Sequence, residues 1–517
     1  MAEVEGEPHS VRADLVGDAA AASISTDGRS IACFAHITDL HVTDVDSPAR
    51  FEFVNREYKD PRFRELLPMF RAQEALNAHA IDALVQTLNT VEAGPLTGRP
   101  SELVAMTGDA VDNVQGNELT AFMKLLDGGV VEPNSGGRVY EGVQSTDWPD
   151  EFFWKPDGPP ENDTYQKALG FPRMPGLIER ALHPFQAEGL SLPWIGCHGN
   201  HEVVCQGVGI VNRALAAAVV GPRKPFRLPQ GIEFDTVVEQ FVQHPEVFMS
   251  GPYVDVTPDR DRRQFVLGEF LDAHMQSGKK PEGHGFTQGN LDAGSAYYVY
   301  DTPALRFITL DTACPGGGAE GCITAGQLHW LERRLEEVHS SFLSRDGTAV
   351  RSSSQDRLVV ILSHHPFSSL TNNRAHQPAR PGVDQDSMHA DPRRLLATLL
   401  RFGNVVLWLN GHIHANHVRA HRDESREGGG FWEVTTSAVV DWPCQGRIVE
   451  IVQAGDGMLA IASTMVDHQG SELGALHREL AGNEPGAGFE SGRAGTPLDR
   501  NVILPVRSPF AAADRGD

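Results

Sequence analysis

Five short polar clusters carry most of the chemistry in this 517-residue sequence. They are Asp39-Leu40-His41; Gly108-Asp109, with Asn113 nearby; Gly199-Asn200-His201-Glu202; His364-His365-Pro366; and Gly411-His412-Ile413-His414. Together they supply carboxylates, an amide and imidazoles. A mixed O/N set of this kind suits Mn, Fe or Zn, without the thiolates of a structural zinc site. In Asp-x-His and His-x-His the candidate ligands stand two residues apart. At a strand end, positions i and i+2 point the same way, so both can face one metal cluster. A glycine before Asp109, Asn200 and His412 lets the backbone turn sharply as a strand enters a loop. One Asp-x-His is commonly incidental. Five clusters, each after an apolar run, are hard to assign to chance.

The elements that must position these clusters are legible as apolar runs. Residues 31–38 (IACFAHIT), 103–107 (LVAMT), 192–197 (LPWIGC), 358–363 (LVVILS) and 404–410 (NVVLWLN) read as buried strands, each stopping at a cluster. Helical spacing of apolar residues predicts helices over 64–92, 324–338 and near 392–402, with shorter stretches near 236–243 and 264–275. Strands at 296–300 and 305–310 are joined by a hairpin turn at Asp301-Thr302-Pro303-Ala304, and further strands are predicted at 431–437, 446–453 and 458–465. The pattern is mixed α/β, a class in which ligands sit at the carboxyl ends of strands. Residues 1–30 read as a loose lead-in and 31–466 as the domain. Two Gly-, Pro- and acid-rich stretches, about 113–190 and 206–290, read as insertions on it. The tail, 467–517, is rich in Gly, Pro and Ala and is expected to be poorly packed.

Composition narrows the function classes. Lys+Arg number 44 against 69 Asp+Glu, a net charge of −25. No nucleic-acid partner is expected of such a chain, because phosphate neutralisation needs a basic face. A local positive site supplied by divalent metals remains compatible with it. No apolar run reaches the length of about 18 residues that a membrane span needs, so no membrane association is expected. The opening MAEVEGEPHS lacks the basic start of a signal peptide, which points to a cytoplasmic protein. The six cysteines include no CxxC pair, so a structural zinc site is not expected. Free thiols are the default, with a Cys314–Cys322 loop disulfide as the alternative. Cys205 and Cys444 lack partners that would mark a nucleophile.

The series DLH, GD, GNHE, HH and GHIH resembles the calcineurin-like metallophosphoesterase superfamily, over about residues 36 to 415. That superfamily includes purple acid phosphatases, protein Ser/Thr phosphatases and class III cyclic nucleotide phosphodiesterases. With the stretch TTSAVVDWPCQGR, the whole looks like a long-insert actinobacterial-type branch whose members are often exported. The resemblance implies a four-layer α/β/β/α sandwich carrying two large insertions. It also implies two divalent ions, Mn, Fe or Zn, with Asp39, His41 and His414 on the first, Asn200, His364 and His412 on the second, and Asp109 bridging. His201 would hold no metal and would donate a proton or hydrogen bond to the leaving oxygen. Glu202 stands where aspartate is commoner and is expected to orient His201; His365 is expected to support the ligands from behind.

The activity so implied is hydrolysis of a small phosphate ester by in-line attack of metal-activated water. The short motif pattern looks closest to the small phosphodiesterase branch; a phosphomonoesterase is the alternative. A non-catalytic binding scaffold predicts missing ligands, yet all seven are present. A purple iron centre would need a tyrosine shortly after Asp109, where Asp112 stands instead. Outside the motifs, His36, His198 and His417 are expected to support ligands or to lie at the surface, and Asn113 to cap a turn. Trp148 and Trp154 are expected to pack. Arg447 is expected either near phosphate or anchoring a strand.

Overall fold

The computed structural model describes residues 6–371 and 389–510. Two sheets form its centre. Their strands, in chain order, are β1 (Ser10–Val11), β2 (Arg29–Ile37), β3 (Val104–Met106), β4 (Trp194–Gly196), β5 (Tyr298–Asp301), β6 (Leu305–Thr309), β7 (Leu358–Leu362), β8 (Val405–Asn410), β9 (His417–Arg422), β10 (Gly430–Thr435), β11 (Gln445–Gln453), β12 (Met458–Asp467) and β13 (Val502–Arg507). One sheet has the order β1-β13-β12-β11-β2-β3-β4, the other β9-β10-β8-β7-β6-β5.

Strand periodicity explains the layering. In β2, Ala32 and Phe34 face the second sheet, whereas Cys33, Ala35 and Ile37 face helices. The second sheet repeats the pattern: Leu358, Val360 and Leu362 of β7 point to the inter-sheet core, and Val359 and Ile361 to the opposite face. Phe34 meets Phe307 edge-on across the interface, with centroids 5.2 Å apart. Helices α1 (Asn77–Thr90) and α2 (Gly116–Asp127) cover the first sheet; α3 (Ala325–Glu336) and α4 (Pro392–Leu400) cover the second. The result is α/β/β/α, mixed α/β as the sequence implies.

Several boundaries differ from the sequence reading. The helix predicted over 64–92 begins only at Asn77; residues 61–76 form short 3₁₀ turns at Pro61–Leu66 and Glu74–Leu76. Pro68 disfavours helix at the residue before it and interrupts the run. The stretch 113–190 is not all insertion, because α2 buries Phe122, Leu125 and Leu126 in the main core. The helix Leu267–Met275, inside the second expected insertion, adds Phe270 and Leu271 to the same core. What remains of the insertions builds two satellite cores. One gathers Trp148, Phe153, Trp154 and Tyr165; the other joins Phe241 and Phe248 to Phe51 and Phe63.

The tail and the lead-in are the main corrections. The described part of the tail, 467–510, is not poorly packed: α5 (Glu472–Asn483) lies against α1, and β13 pairs antiparallel with β12. The lead-in pairs too, since β1 runs parallel to β13. Pro505 hides the strand from a sequence reading because proline cannot donate to a ladder. It is tolerated because β1 reaches only Val502 and Ile503 along that edge. Val502, Leu504 and Val506 are buried, and the Pro505 carbonyl accepts from Trp432 Nε1 at 3.0 Å, linking the two sheets. Removing residues 468–517 should therefore bare the apolar edge of β12 and drive aggregation. A truncated chain as soluble as the full chain, with an unchanged thermal transition, would contradict this packing.

Candidate metal centre

The strands β2, β3 and β4 run parallel in one sheet, and β6, β7, β8 and β10 do so in the other. Their carboxyl ends meet at one edge of the sandwich, and every polar cluster lies there. Backbone hydrogen bonds join the loops: Asp39 N to Gly108 O (3.1 Å), His41 N to Asp109 O (2.9 Å) and Gly411 N to His364 O (3.0 Å). Five site residues adopt the left-handed region, with φ of 52° at Asp39, 46° at His41, 53° at Asp109, 69° at His412 and 52° at His414. Each costs about 1–2 kcal/mol for a residue with a Cβ. The surrounding bonds hold the turns: the Asp39 carboxylate, for instance, accepts from His412 N at 3.0 and 3.1 Å. Gly108 has φ 93°, and a Cβ there would sit 2.9 Å from His364 Nδ1.

Asp39, His41 and His414 form one group. His414 Nδ1 donates to Asp441 Oδ2 at 2.6 Å, so its Nε2 carries the lone pair. That Nε2 lies 3.2 Å from Asp39 Oδ1 and 3.2 Å from His41 Nε2. Asp109 Oδ2 is 3.7 Å from His41 Nε2 and 3.0 Å from His364 Nε2, so it stands between this group and the next. His364 Nδ1 donates to the Thr107 carbonyl at 2.9 Å, which aims its Nε2 inward at the Asp109 carboxylate. Asn200 Nδ2 donates to the Gly207 carbonyl at 2.9 Å, leaving Oδ1 buried and unsatisfied. The His412 ring stands 5.1 Å from that of His364.

These lone pairs and carboxylates repel at such distances unless positive charge lies among them. The imidazoles register the same field. Burial alone would lower His41, but Asp112 and Asp39 lift it to about 10. Burial likewise opposes charge on His364, and Asp109 lifts it to about 9. The unsatisfied Asn200 Oδ1 and the inward imidazole Nε2 atoms around the Asp109 carboxylate are an O/N donor set that divalent ions fit.

His201 stands beside the ligand atoms. Its Nδ1 bonds the Asp112 carbonyl at 2.6 Å, its Nε2 is 4.0 Å from Asp109 Oδ2, and its ring is edge-on to His41 at 4.4 Å. Burial pushes its pKa down to about 4. Glu202 does not touch His201 as expected. Its carboxylate accepts three backbone amides instead: Asp109 N at 3.0 Å, Val111 N at 3.1 Å and Gly199 N at 2.7 Å. The longer side chain thus clamps the second motif to the third. His365 is pinned on both ring nitrogens, by Thr312 Oγ1 at 2.9 Å and the Ala319 carbonyl at 3.0 Å, and stacks obliquely on His412.

Sequence reasoning passed over two carboxylates. Asp112 sets its Oδ1 3.4 Å from His41 Nδ1 and holds His201 through its carbonyl; its other oxygen is paired with buried Arg50. Asp441 grips His414 and is itself held by Arg71 Nε at 2.8 Å and Arg493 Nη1 at 2.6 Å. The spacing of three between Asp109 and Asp112 was a signal; Asp441 had none, since it arrives from the end of β10. Carboxylates behind ligating histidines typically matter 10–100-fold in metal affinity. Asp441→Ala should weaken metal binding by about that factor. A titration with unchanged affinity would remove Asp441 from the site.

The remaining expectations resolve locally. Arg447 lies fully buried and bonds Thr436, Ser463 and Asn416, so it anchors strands and does not approach phosphate. His36 bridges Thr107 and Thr436, His198 lies 3.4 Å from Asp311, and His417 is exposed in β9. Asn113 joins two segments, donating to the Ala49 carbonyl and accepting from Gln206 N. No helix among the described residues is long and apolar enough to cross a membrane.

Comparison with known proteins bears on the same residues. The family described as calcineurin-like phosphoesterase matches residues 34–416. Among solved structures, a dimetal phosphatase from Danio rerio is similar, at 13% identity and a TM-score of 0.36, over 85% of this chain and 100% of that one. No curated protein matches the sequence.

Proposed function

The chain belongs to the calcineurin-like phosphoesterase family and is a metal-dependent phosphoester hydrolase, and on that premise we propose that it is a dinuclear phosphodiesterase acting on a small phosphate ester. Asp39, His41 and His414 would hold one ion of Mn, Fe or Zn, and Asn200, His364 and His412 the other, with Asp109 serving both. The observation that carries this reading is the buried, unsatisfied Asn200 Oδ1 together with His364 Nε2 converging on the Asp109 carboxylate. When bound, two such ions lower the pKa of water and neutralise phosphate oxygens. The protein's own part is to fix the ligand lone pairs inward through Asp441, Thr107 and Gly207, and to present His201 at the leaving oxygen.

Charge supports a diester over a monoester. A monoester dianion asks for more neutralisation than a diester monoanion. The arginines that reach the site's carboxylates are already committed: Arg50 to Asp112 and Glu74, Arg71 and Arg493 to Asp441. The net charge of −25 supports a small substrate over a nucleic acid. The test is turnover of bis(p-nitrophenyl) phosphate against p-nitrophenyl phosphate, on metal-stripped protein with Mn added back. Faster Mn-dependent hydrolysis of the diester is expected. Preference for the monoester would move the assignment to a phosphatase. Two bound metals with neither substrate turned over would favour the scaffold reading.

A further inference from the structure

A second donor cluster lies behind the dinuclear centre and shares none of its residues. Cys314 and Cys322 sit on the loop between β6 and α3, and His389 immediately precedes α4. Both cysteines are buried, at 3% and 4% exposure, and they pack on each other as reduced thiols hydrogen-bonded side chain to side chain. His389 is brought to them by the backbone, which pairs with Thr324, while Ala390 N donates to Ile323 O at 2.8 Å. The two Sγ atoms and an imidazole nitrogen all lie within 4.8 Å of one another. Tetrahedral zinc with bonds of about 2.0–2.3 Å needs ligand–ligand edges of about 3.5 Å. Small side-chain rotations reach that from the observed grouping.

We propose that Cys314, Cys322 and His389 form a separate single-ion site for a thiophilic divalent ion of the zinc type, with a fourth position for water. Sequence spacing concealed it, because eight positions separate the two cysteines and the histidine follows far along the chain. Its donors differ in kind from those of the dinuclear centre. Two thiolates and an imidazole select zinc or cobalt over manganese, whereas the O/N set accepts all three. The ion would tie the loop after β6 to the segment entering α4. That loop carries Thr312 and Ala319, which pin both nitrogens of His365. The ion would thereby steady the wall against which His412 rests.

The experiment uses the full chain, stripped of metal under reductant and reconstituted with Co(II). The expected result is a thiolate-to-cobalt charge-transfer absorption in the near ultraviolet. It should be lost in Cys314→Ser and in Cys322→Ser and shifted in His389→Ala, while Asp109→Ala retains it. Zinc-loaded protein should lose one ion per chain in each serine variant. The half-exposed His389 gives a variant that does not disturb the buried pair, and circular dichroism checks that each variant is folded. Absence of the absorption in reduced wild-type protein would overturn the proposal. So would its persistence in the serine variants, which would place the thiolate at Cys33, Cys197, Cys205 or Cys444.

Discussion

Asp109→Ala is expected to lower kcat/KM by roughly 10²–10³-fold or more, the scale of losing a preorganised charge in a dry site. Its carboxylate reaches candidates of both groups. One carboxylate oxygen accepts from His201 N at 2.9 Å; the other lies 3.0 Å from His364 Nε2 and 3.7 Å from His41 Nε2. The neighbouring His364 and His201 hold the carboxyl well below its usual range despite burial. Removing it leaves two inward lone pairs with no anion between them, and the metal content should fall with the activity. Asp109→Asn separates charge from shape. Asparagine tolerates the left-handed φ of 53° that this position requires, so the fold should persist while metal binding still drops. Full metal occupancy and wild-type turnover in Asp109→Asn would mean that the carboxylate does not bridge.

Much of this site was legible because the chemistry and the strand ends coincide. The motif residues follow apolar runs whose alternation can be read directly: Ala32 and Phe34 against Cys33, Ala35 and Ile37 in β2. The parallel strands then deliver those residues to one edge. What escaped reading arrives by tertiary routes. Asp441 reaches His414 from a different strand end, and Arg71 and Arg493 reach Asp441 from segments hundreds of residues apart in sequence, with no local pattern to connect them. Glu202 was expected on its neighbour His201, but its extra methylene lets it span to the amides of Asp109 and Val111. The tail failed for a different reason: its Gly- and Pro-rich composition outweighed the alternation of Val502, Leu504 and Val506, which only the exposed edge of β12 makes meaningful. In each case the missing information was a partner, and partners are set by topology.

His201→Ala is expected to lower kcat by about 10²–10⁴-fold, the usual worth of a positioned acid or base, while both ions stay bound. Geometry separates the two effects. The side chain is only partly exposed, and its Nδ1 donates to the Asp112 carbonyl at 2.6 Å, which leaves Nε2 facing the cleft. Burial holds the ring pKa at about 4, so Nε2 acts as an acid only as the imidazolium, a form that an adjacent phosphate anion favours. His201 groups with His41 and Asp112 rather than with Asp39, His414 and His364, so the metal content of the variant decides between the two roles. Loss of the ring therefore removes a group at the leaving oxygen without unmaking the ligand cage. The leaving group supplies the decisive comparison. Nitrophenolate departs without help, so the variant should lose least on bis(p-nitrophenyl) phosphate; an alkyl diester, whose leaving oxygen must be protonated, should show the upper end of the range. A loss equal for both substrates would assign His201 to binding the phosphate, and metal content that falls with the activity would return it to the ligand set.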